Sequence, residues 1–250
     1  MRISFHSIDR LASTERQDPV SLEPNAVHLW GIELNGSPDC LTRCAQWLDD
    51  VERGRAARLV REEDWQHYVL AHGGLRAVLS WYLGVSPDVV ALERSAAGKP
   101  FVTSKLGDRS AITFNMSHAH GRALIAVSNA QEVGVDLEFV RLGVEAEKLS
   151  QRYFADPEHT AIMRLPQEQR AARFFRYWVA KEAALKAQGI GLQGLAECKI
   201  VFGSEAADAE VGVRSAFPVQ HEVRVRFLSC GNGWEAAVAA QELDRIKQWT

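Results

Sequence analysis

The first half of the chain carries one strand pattern followed by helical patterns. Residues Ala26 to Leu34 (AVHLWGIEL) mix apolar and polar positions in a way typical of a first strand. They follow a largely polar stretch of about 25 residues, with Pro19 and Pro24, that predicts an irregular lead-in. From about Leu41 to Leu83 the apolar spacing becomes helical in two or three pieces, most clearly over Asp64–Leu83. Gly84 and Pro87 end this helix, and short strands are predicted after it at Val89–Glu93, Ala111–Phe114 and Ala123–Val127.

The second half repeats this order of elements without repeating the sequence. A strand is predicted at Val133–Phe139 and helices at Glu145–Phe154 and Gln167–Gln188, with Gly189 as the C-terminal glycine of the second. The tail from Cys198 to Ala240 alternates like two or three strands. This order predicts an α+β fold in two halves, residues 1–130 and 131–250.

Composition excludes several classes of protein. The 250 residues are 46% hydrophobic and 24% charged, which excludes general disorder and fibrous repeats. The net charge of −3 provides no basic field for nucleic acid. The beginning of the chain has no secretory signal pattern, and no apolar run approaches the roughly 20 residues of a membrane-spanning helix. We therefore expect a cytoplasmic protein, with four free thiols at its four cysteines.

The strongest chemical candidate is the pair of acids in Gly134–Glu138 (GVDLE). Alternate side chains of a strand share one face, so Asp136 and Glu138 point together while Val135 and Leu137 face the other way. Two neighbouring carboxylates suit Mg²⁺, which takes one or two carboxylates and completes its shell with water and phosphates. The alternative is an exposed strand face with two solvated acids.

Three other segments carry polar groups in suggestive positions. Glu182 and Lys186 lie four residues apart on the predicted helix Gln167–Gln188. By default, such a pair is a surface ion pair. Phe114–His118 (FNMSH) leaves a strand and enters a loop where it can present polar groups to an anion, or is a simple polar turn. Gly98–Phe101 (GKPF) is a turn whose lysine contacts a phosphate or purine, or is merely solvated. Gly189–Gly194 matches G-x-G-x-x-G but follows a helix, so we interpret it as a helix-exit loop.

The order and spacing of these motifs are more specific than any one of them. GKPF, FNMSH, GVDLE and then Trp178–Leu192 (WVAKEAALKAQGIGL) resemble the 4′-phosphopantetheinyl transferases, and His67–Leu83 resembles an early helix of that family. The resemblance is to the long single-chain class. It implies two pseudo-symmetric α+β halves, with the active site in the cleft between them.

The resemblance also implies a reaction. Coenzyme A is the donor, and a serine of an acyl or peptidyl carrier protein attacks the β-phosphorus of its pyrophosphate. The phosphopantetheine arm passes to the carrier, and adenosine 3′,5′-bisphosphate leaves. Fatty-acid, polyketide and nonribosomal-peptide carriers are all candidate acceptors, and the two halves together supply a complete cleft, so we expect a monomer.

Residue roles follow from the same resemblance. Asp136, Glu138 and Glu182 would surround Mg²⁺, and Glu182 would be the base for the carrier serine, directly or through water. Lys186 would neutralise the pyrophosphate. The remaining coenzyme A contacts would be Ser117 and His118 at the phosphates, Gly98, Lys99 and Pro100 along the adenine, and Arg76 at the 3′-phosphate.

One departure and two alternatives remain. His67 stands where the family commonly has arginine, so the 3′-phosphate contact is weaker or passes to Arg58 or Arg61. A metal-dependent nuclease would need a lysine where Val140 stands. A non-catalytic module that binds coenzyme A is disfavoured, because all three acids and Lys186 are present.

Overall fold

The computed structural model describes residues 1–14, 19–103, 111–202, 211–215 and 223–248. The helices in these ranges are α1 Ile8–Ser13, α2 Pro38–Trp47, α3 Asp50–Ala56, α4 Glu62–Leu83, α5 Ala146–Tyr153, α6 Asp156–Met163 and α7 Gln167–Gln188. The strands are β1 Phe5–Ser7, β2 Val27–Glu33, β3 Leu92–Arg94, β4 Pro100–Val102, β5 Ile112–Ala119, β6 Arg122–Asn129, β7 Val133–Phe139, β8 Cys198–Val201, β9 Val211–Ser215, β10 Val223–Leu228, β11 Trp234–Ala240 and β12 Ile246–Gln248.

The first sheet has the order β1-β2-β6-β5, with β12 also paired to β2. Strands β2, β6 and β5 are antiparallel, whereas β1 and β12 run parallel to β2. Helix α4 covers one face of this sheet and buries Trp30, Ile32, Phe114 and Ile125. Residues from β12 thus complete a sheet that is built mainly from the first half of the chain.

The second sheet is antiparallel throughout, in the order β7-β11-β10-β9-β8. Helix α7 covers one face, where Val179, Ala183, Val225 and Ala237 are buried together. The beginning of the chain also reaches this half, since Arg2 bridges to Ser229.

The uncovered faces of the two sheets pack against each other. Val135 and Leu137 of β7 share one apolar cluster with Leu29 and Leu124 of the first sheet and with Val238 of β11. The layers are therefore helix, sheet, sheet and helix. This arrangement confirms the predicted α+β fold of two related halves.

The two long helices match the sequence prediction most closely. α4 contains the predicted Asp64–Leu83, and α7 has the predicted bounds. Each ends at a glycine in the left-handed conformation, Gly84 at φ 63° and Gly189 at φ 67°, which a side chain would disfavour. The G-x-G-x-x-G match is a helix exit, as expected, with a 3-10 turn at Leu192–Gly194.

Other elements differ from the prediction. The lead-in is not irregular in its described part, because it forms β1 and α1, and Ser7 caps α1 by accepting from the Asp9 N–H. The segment 111–114 is the start of a longer strand, β5, that continues to Ala119. Helix α6 and strand β12 were not predicted, and the described part of the tail forms four strands before β12 where two or three were expected. No helix among the described residues is long and apolar enough to span a membrane.

Candidate active site

Helix α7 lies against β7 because Gly134 has no side chain. A Cβ built at Gly134 would meet the Ala183 carbonyl oxygen at 2.0 Å and the Ala187 nitrogen at 2.5 Å. Gly134 shares its strand face with Asp136 and Glu138, since side chains alternate along β7. The close approach therefore places the last turns of α7 directly over the two acids.

Asp136 is the most buried of the predicted site residues on this face, with 3% of its surface exposed. Its Oδ1 accepts from Lys186 Nζ at 2.6 Å and from Ser117 Oγ at 2.8 Å. Its Oδ2 is buried and has no hydrogen-bond partner within the described part of the chain. A buried carboxylate oxygen without a partner is costly, so this atom is a candidate ligand for a cation.

Lys186 joins Asp136 to Glu182. Its Nζ lies 3.3 Å from Glu182 Oε2, one helical turn away, while it also contacts Asp136. Burial alone lowers the pKa of Lys186, but the two carboxylates outweigh burial and raise this pKa above its usual value. Burial also raises the pKa of Glu182, which Lys186 opposes and Asp136 reinforces. The structure thus brings Glu182 and Asp136 to one ammonium group.

Glu138 lies on the same strand face as Asp136, with its side chain 23% exposed and its Oε2 3.6 Å from Arg141 Nη2. Burial, followed by the charge of Asp136, raises the pKa of Glu138 to about 7; Glu182 adds to the rise and Arg141 opposes it. When all three are ionised, these carboxylates outnumber the two neighbouring cations, Lys186 and Arg141, and a bound cation would relieve the excess negative charge.

The donor set fits Mg²⁺ in its chemistry. No group of three or more histidine, cysteine, aspartate or glutamate side chains forms a ready metal cage among the residues described. Magnesium does not need such a cage, because it keeps several waters and binds through one or two carboxylates plus substrate phosphates. The unpartnered Oδ2 of Asp136, with Glu138 and Glu182 nearby, is the arrangement that such binding requires.

His118 and Ser117 point to opposite sides of β5, because this strand continues through them. Ser117 faces β7, and its hydroxyl is committed to Asp136. His118 faces α4, with its ring centroid 6.4 Å from that of His72. The surrounding protein desolvates much of the His118 ring, although part of the residue is exposed. This desolvation, followed by the positive charges of His72, Lys186 and His67, lowers the pKa of His118 to about 4. His118 is therefore a neutral imidazole near pH 7, at the boundary between the halves.

The predicted adenine-binding turn is the connection between β3 and β4. Gly98 has φ 83°, and its carbonyl oxygen accepts from Arg94 at 3.0 Å. Lys99 Nζ lies 2.5 Å from Glu132 and donates to the Val133 carbonyl at 3.2 Å. This turn, which continues into Pro100, is thus attached to the start of β7, the strand that carries the acids.

The structure corrects the prediction for Arg76, which is 1% exposed. Its guanidinium donates to Glu52 at 2.7 Å, to Asp49 at 2.7 Å and to the Val90 carbonyl at 2.8 Å. These bonds hold α3 against α4. Among the residues described, Arg76 therefore has a structural role, since it is buried and turned toward two carboxylates.

Sequence reasoning missed two buried charged groups, Lys181 and Glu52. Lys181 precedes Glu182 but points the other way, with its Nζ 2.7 Å from Glu158 and further bonds to the Leu195 and Cys198 carbonyls. Glu52 accepts from His72 and Arg76. The signal for Lys181 was a charge on the apolar stripe of α7; a buried lysine requires a partner.

Comparison with known proteins agrees with this architecture. A model of the 4′-phosphopantetheinyl transferase superfamily matches residues 132–239, and a model described as 4′-phosphopantetheinyl transferase, N-terminal, matches residues 33–131. The chain belongs to the 4′-phosphopantetheinyl transferase superfamily and is an enzyme of that class. The two matches follow one another in one polypeptide, consistent with the long single-chain class.

Individual relatives carry the same description. The 4′-phosphopantetheinyl transferase HetI of Nostoc sp. is 39% identical over 186 residues, 73% of this chain and 77% of the relative. The L-aminoadipate-semialdehyde dehydrogenase-phosphopantetheinyl transferase of Xenopus laevis is 28% identical, over 68% of this chain and 58% of its own length. The 4′-phosphopantetheinyl transferase Sfp of Bacillus subtilis is 24% identical, over 60% and 64%.

Proposed function

We propose that the enzyme transfers the 4′-phosphopantetheine arm of coenzyme A to a serine of an acyl or peptidyl carrier protein, with Mg²⁺, and releases adenosine 3′,5′-bisphosphate. The observation that carries the proposal is the contact of Asp136 and Glu182 with Lys186, beside Glu138 on the same strand face as Asp136, at a carboxylate oxygen that lacks a partner in the described part of the chain. Such a charge cluster fits the transfer of a diphosphate-linked group, which depends on neutralisation and positioning more than on covalent help from the protein.

The proposed chemistry is an in-line displacement. The serine oxygen forms a bond to the β-phosphorus while the bond from that phosphorus to the bridging oxygen breaks, and the serine proton passes to Glu182. The raised pKa of Glu182 makes it a stronger proton acceptor than an exposed glutamate, and its place on α7 holds it rigidly. The pair of electrons in the broken bond leaves with the adenosine bisphosphate.

Positive groups would hold the diphosphate in place. Lys186 supplies one fixed positive charge between Asp136 and Glu182. Mg²⁺, held by Asp136 with Glu138 and Glu182 as the further candidate ligands, would draw charge from the phosphate oxygens when bound. His118, as a neutral imidazole, can donate one hydrogen bond to a phosphate, and Lys99 lies on a turn fixed to β7. These positions favour coenzyme A in the cleft between the two halves.

The proposed setting is a cytoplasmic monomer that serves carriers of fatty-acid, polyketide or nonribosomal-peptide synthesis. The curated relatives are named as phosphopantetheinyl transferases, and one of the names also contains that of a dehydrogenase. A basic face that could steer an acidic carrier comprises Arg53, Arg55, Arg58 and Arg61. Two of these arginines already form ion pairs, Arg53 with Asp50 and Arg61 with Glu63.

The test is a carrier panel analysed by intact-mass spectrometry. The enzyme, coenzyme A and Mg²⁺ are incubated with each carrier, and the proposal expects a gain of one phosphopantetheine mass. A carrier with its acceptor serine replaced by alanine is the substrate control, and Asp136→Asn is the enzyme control, because it keeps the shape of the side chain. Binding of coenzyme A without a mass gain on any carrier would instead favour the non-catalytic module.

A further inference from the structure

Strands β5 and β7 face each other across the boundary between the halves. Each lies at the end of its own sheet order, and they belong to different sheets in the described ranges. Polar side chains of β5 make the connection between them. Asn115 Oδ1 accepts from the Val135 N–H at 2.9 Å, and Ser117 Oγ donates to Asp136 Oδ1 at 2.8 Å.

We propose that Ser117 and Asn115 are positioning residues that select the oxygen of Asp136 offered to the metal. Ser117 and Lys186 both donate to Oδ1, so Oδ2 is the oxygen left for a cation. Asn115 fixes the backbone one residue earlier, and so sets the height of Asp136 relative to the first sheet. The inference rests on the proposed function, since it concerns the metal ligand of that site.

The hydrogen-bond capacity of serine argues against a phosphate contact through the Ser117 hydroxyl, which is the role that the resemblance implied for it. A hydroxyl has one hydrogen to donate and otherwise only accepts, and an ionised phosphate oxygen can only accept. While Ser117 donates to Asp136, it has nothing to donate to a phosphate. To bind a phosphate, it would have to remove a hydrogen bond from a buried carboxylate, which costs more than an ordinary hydrogen bond.

Burial makes the arrangement rigid. Asn115 is 6% exposed and Ser117 9% exposed, so neither bond competes freely with water. Rotation of the Asp136 carboxylate would break its bonds to Ser117 and Lys186 together. Groups that orient a metal ligand in this way typically affect metal affinity by about 10–100-fold when removed.

The test compares Ser117→Ala with Ser128→Ala. Ser128 is a matched control because it is a fully buried serine of the neighbouring strand β6, with its hydroxyl bonded only to the Ala26 carbonyl among the contacts described. Titration calorimetry measures coenzyme A binding without divalent ions, then Mn²⁺ binding to the coenzyme A complex, and thermal unfolding checks each variant.

Ser117→Ala is expected to weaken Mn²⁺ binding about tenfold or more, the range for a lost supporting partner, and to leave metal-free coenzyme A binding unchanged. Ser128→Ala should change neither affinity, even if it lowers the unfolding temperature. If Ser117→Ala binds coenzyme A more weakly and Mn²⁺ normally, Ser117 is a phosphate ligand and the proposal is overturned. Wild-type affinities for both coenzyme A and Mn²⁺ in this variant also overturn the proposal.

Two more variants keep the result interpretable. Ser117→Cys has a similar shape but a weak donor, so wild-type Mn²⁺ affinity in this variant also overturns the proposal, even if Ser117→Ala does not fold. Asp136→Asn tests the metal site itself. If Asp136→Asn loses Mn²⁺ binding and Ser117→Ala keeps it, only the positioning role fails; if Asp136→Asn also binds normally, the proposed function fails.

Discussion

Substitution of Gly134 by alanine should separate the helix from the strand that together form the site. The new Cβ would stand 2.0 Å from the Ala183 carbonyl oxygen, whereas ordinary contacts begin at 3.4 Å. The obstruction is backbone of α7, which cannot rotate away as a side chain can. We expect α7 to move by about 1 Å, the scale at which displaced catalytic groups typically lose about 100-fold in rate.

The stability cost follows from the same contact. Forcing extra volume into a packed interior typically costs about 1–3 kcal/mol, so Gly134→Ala should remain folded but melt earlier. The loss in kcat/KM for carrier modification should exceed what this destabilisation explains, because the contact between Lys186 and Asp136 at 2.6 Å is stretched with the helix.

The assay measures kcat/KM and thermal unfolding of Gly134→Ala beside Gly54→Ala. A Cβ at Gly54 in α3 has nothing within 4 Å, so that variant should unfold at the same temperature or slightly higher and keep its activity. Near-normal kcat/KM in Gly134→Ala would refute the reasoning that close packing at this glycine assembles the site.

Three further predictions concern charge. Because the pKa of Glu138 is raised from 4.5 to about 7, the folded protein holds a proton there that the unfolded chain has lost between these pH values. The free energy of unfolding without metal should therefore fall as pH rises from 4.5 to 7, by up to about 3 kcal/mol. Glu138→Gln should flatten this slope in denaturant titrations. Glu182→Gln should lower kcat about 10²–10⁴-fold while the calorimetric Kd for coenzyme A stays constant; equal losses would give Glu182 a binding role only. Arg76→Ala should lower the free energy of unfolding by about 3–5 kcal/mol, because it leaves Glu52 buried without its main cation. The folded fraction should still bind coenzyme A normally. Full stability together with weakened coenzyme A binding would show instead that Arg76 contacts the phosphate.

The local sequence pattern was sufficient to predict structure where a residue's neighbours along the chain determine its conformation. Alternation in GVDLE placed Asp136 and Glu138 on one face, and the apolar period of Gln167–Gln188 with Gly189 predicted both the helix and its end. The roles of Glu182 and Lys186 were less accessible, since an i, i+4 pair is ordinarily a surface contact. The family resemblance, and not spacing, pointed to them.

Contacts between distant segments account for what could not be predicted. Ser117 lies in a strand where a loop was expected, because its polar face meets β7 and not water, and only the tertiary fold reveals that meeting. Arg76 carries a charge on a mostly apolar helix, which resembles a binding residue until Glu52 of α3 is seen beside it. A three-residue strand such as β12 has too few positions to show any period.

The placement of the two ends of the described chain bears on how the molecule can be divided. Ile246–Gln248 pairs with β2 of the first sheet, and Arg2 bridges to Ser229 of the second half. Each half therefore contributes a terminal segment that pairs with the backbone of the other half. Cutting the gene at the junction between the halves should yield fragments with unpaired edges, which recover activity only when both are produced together.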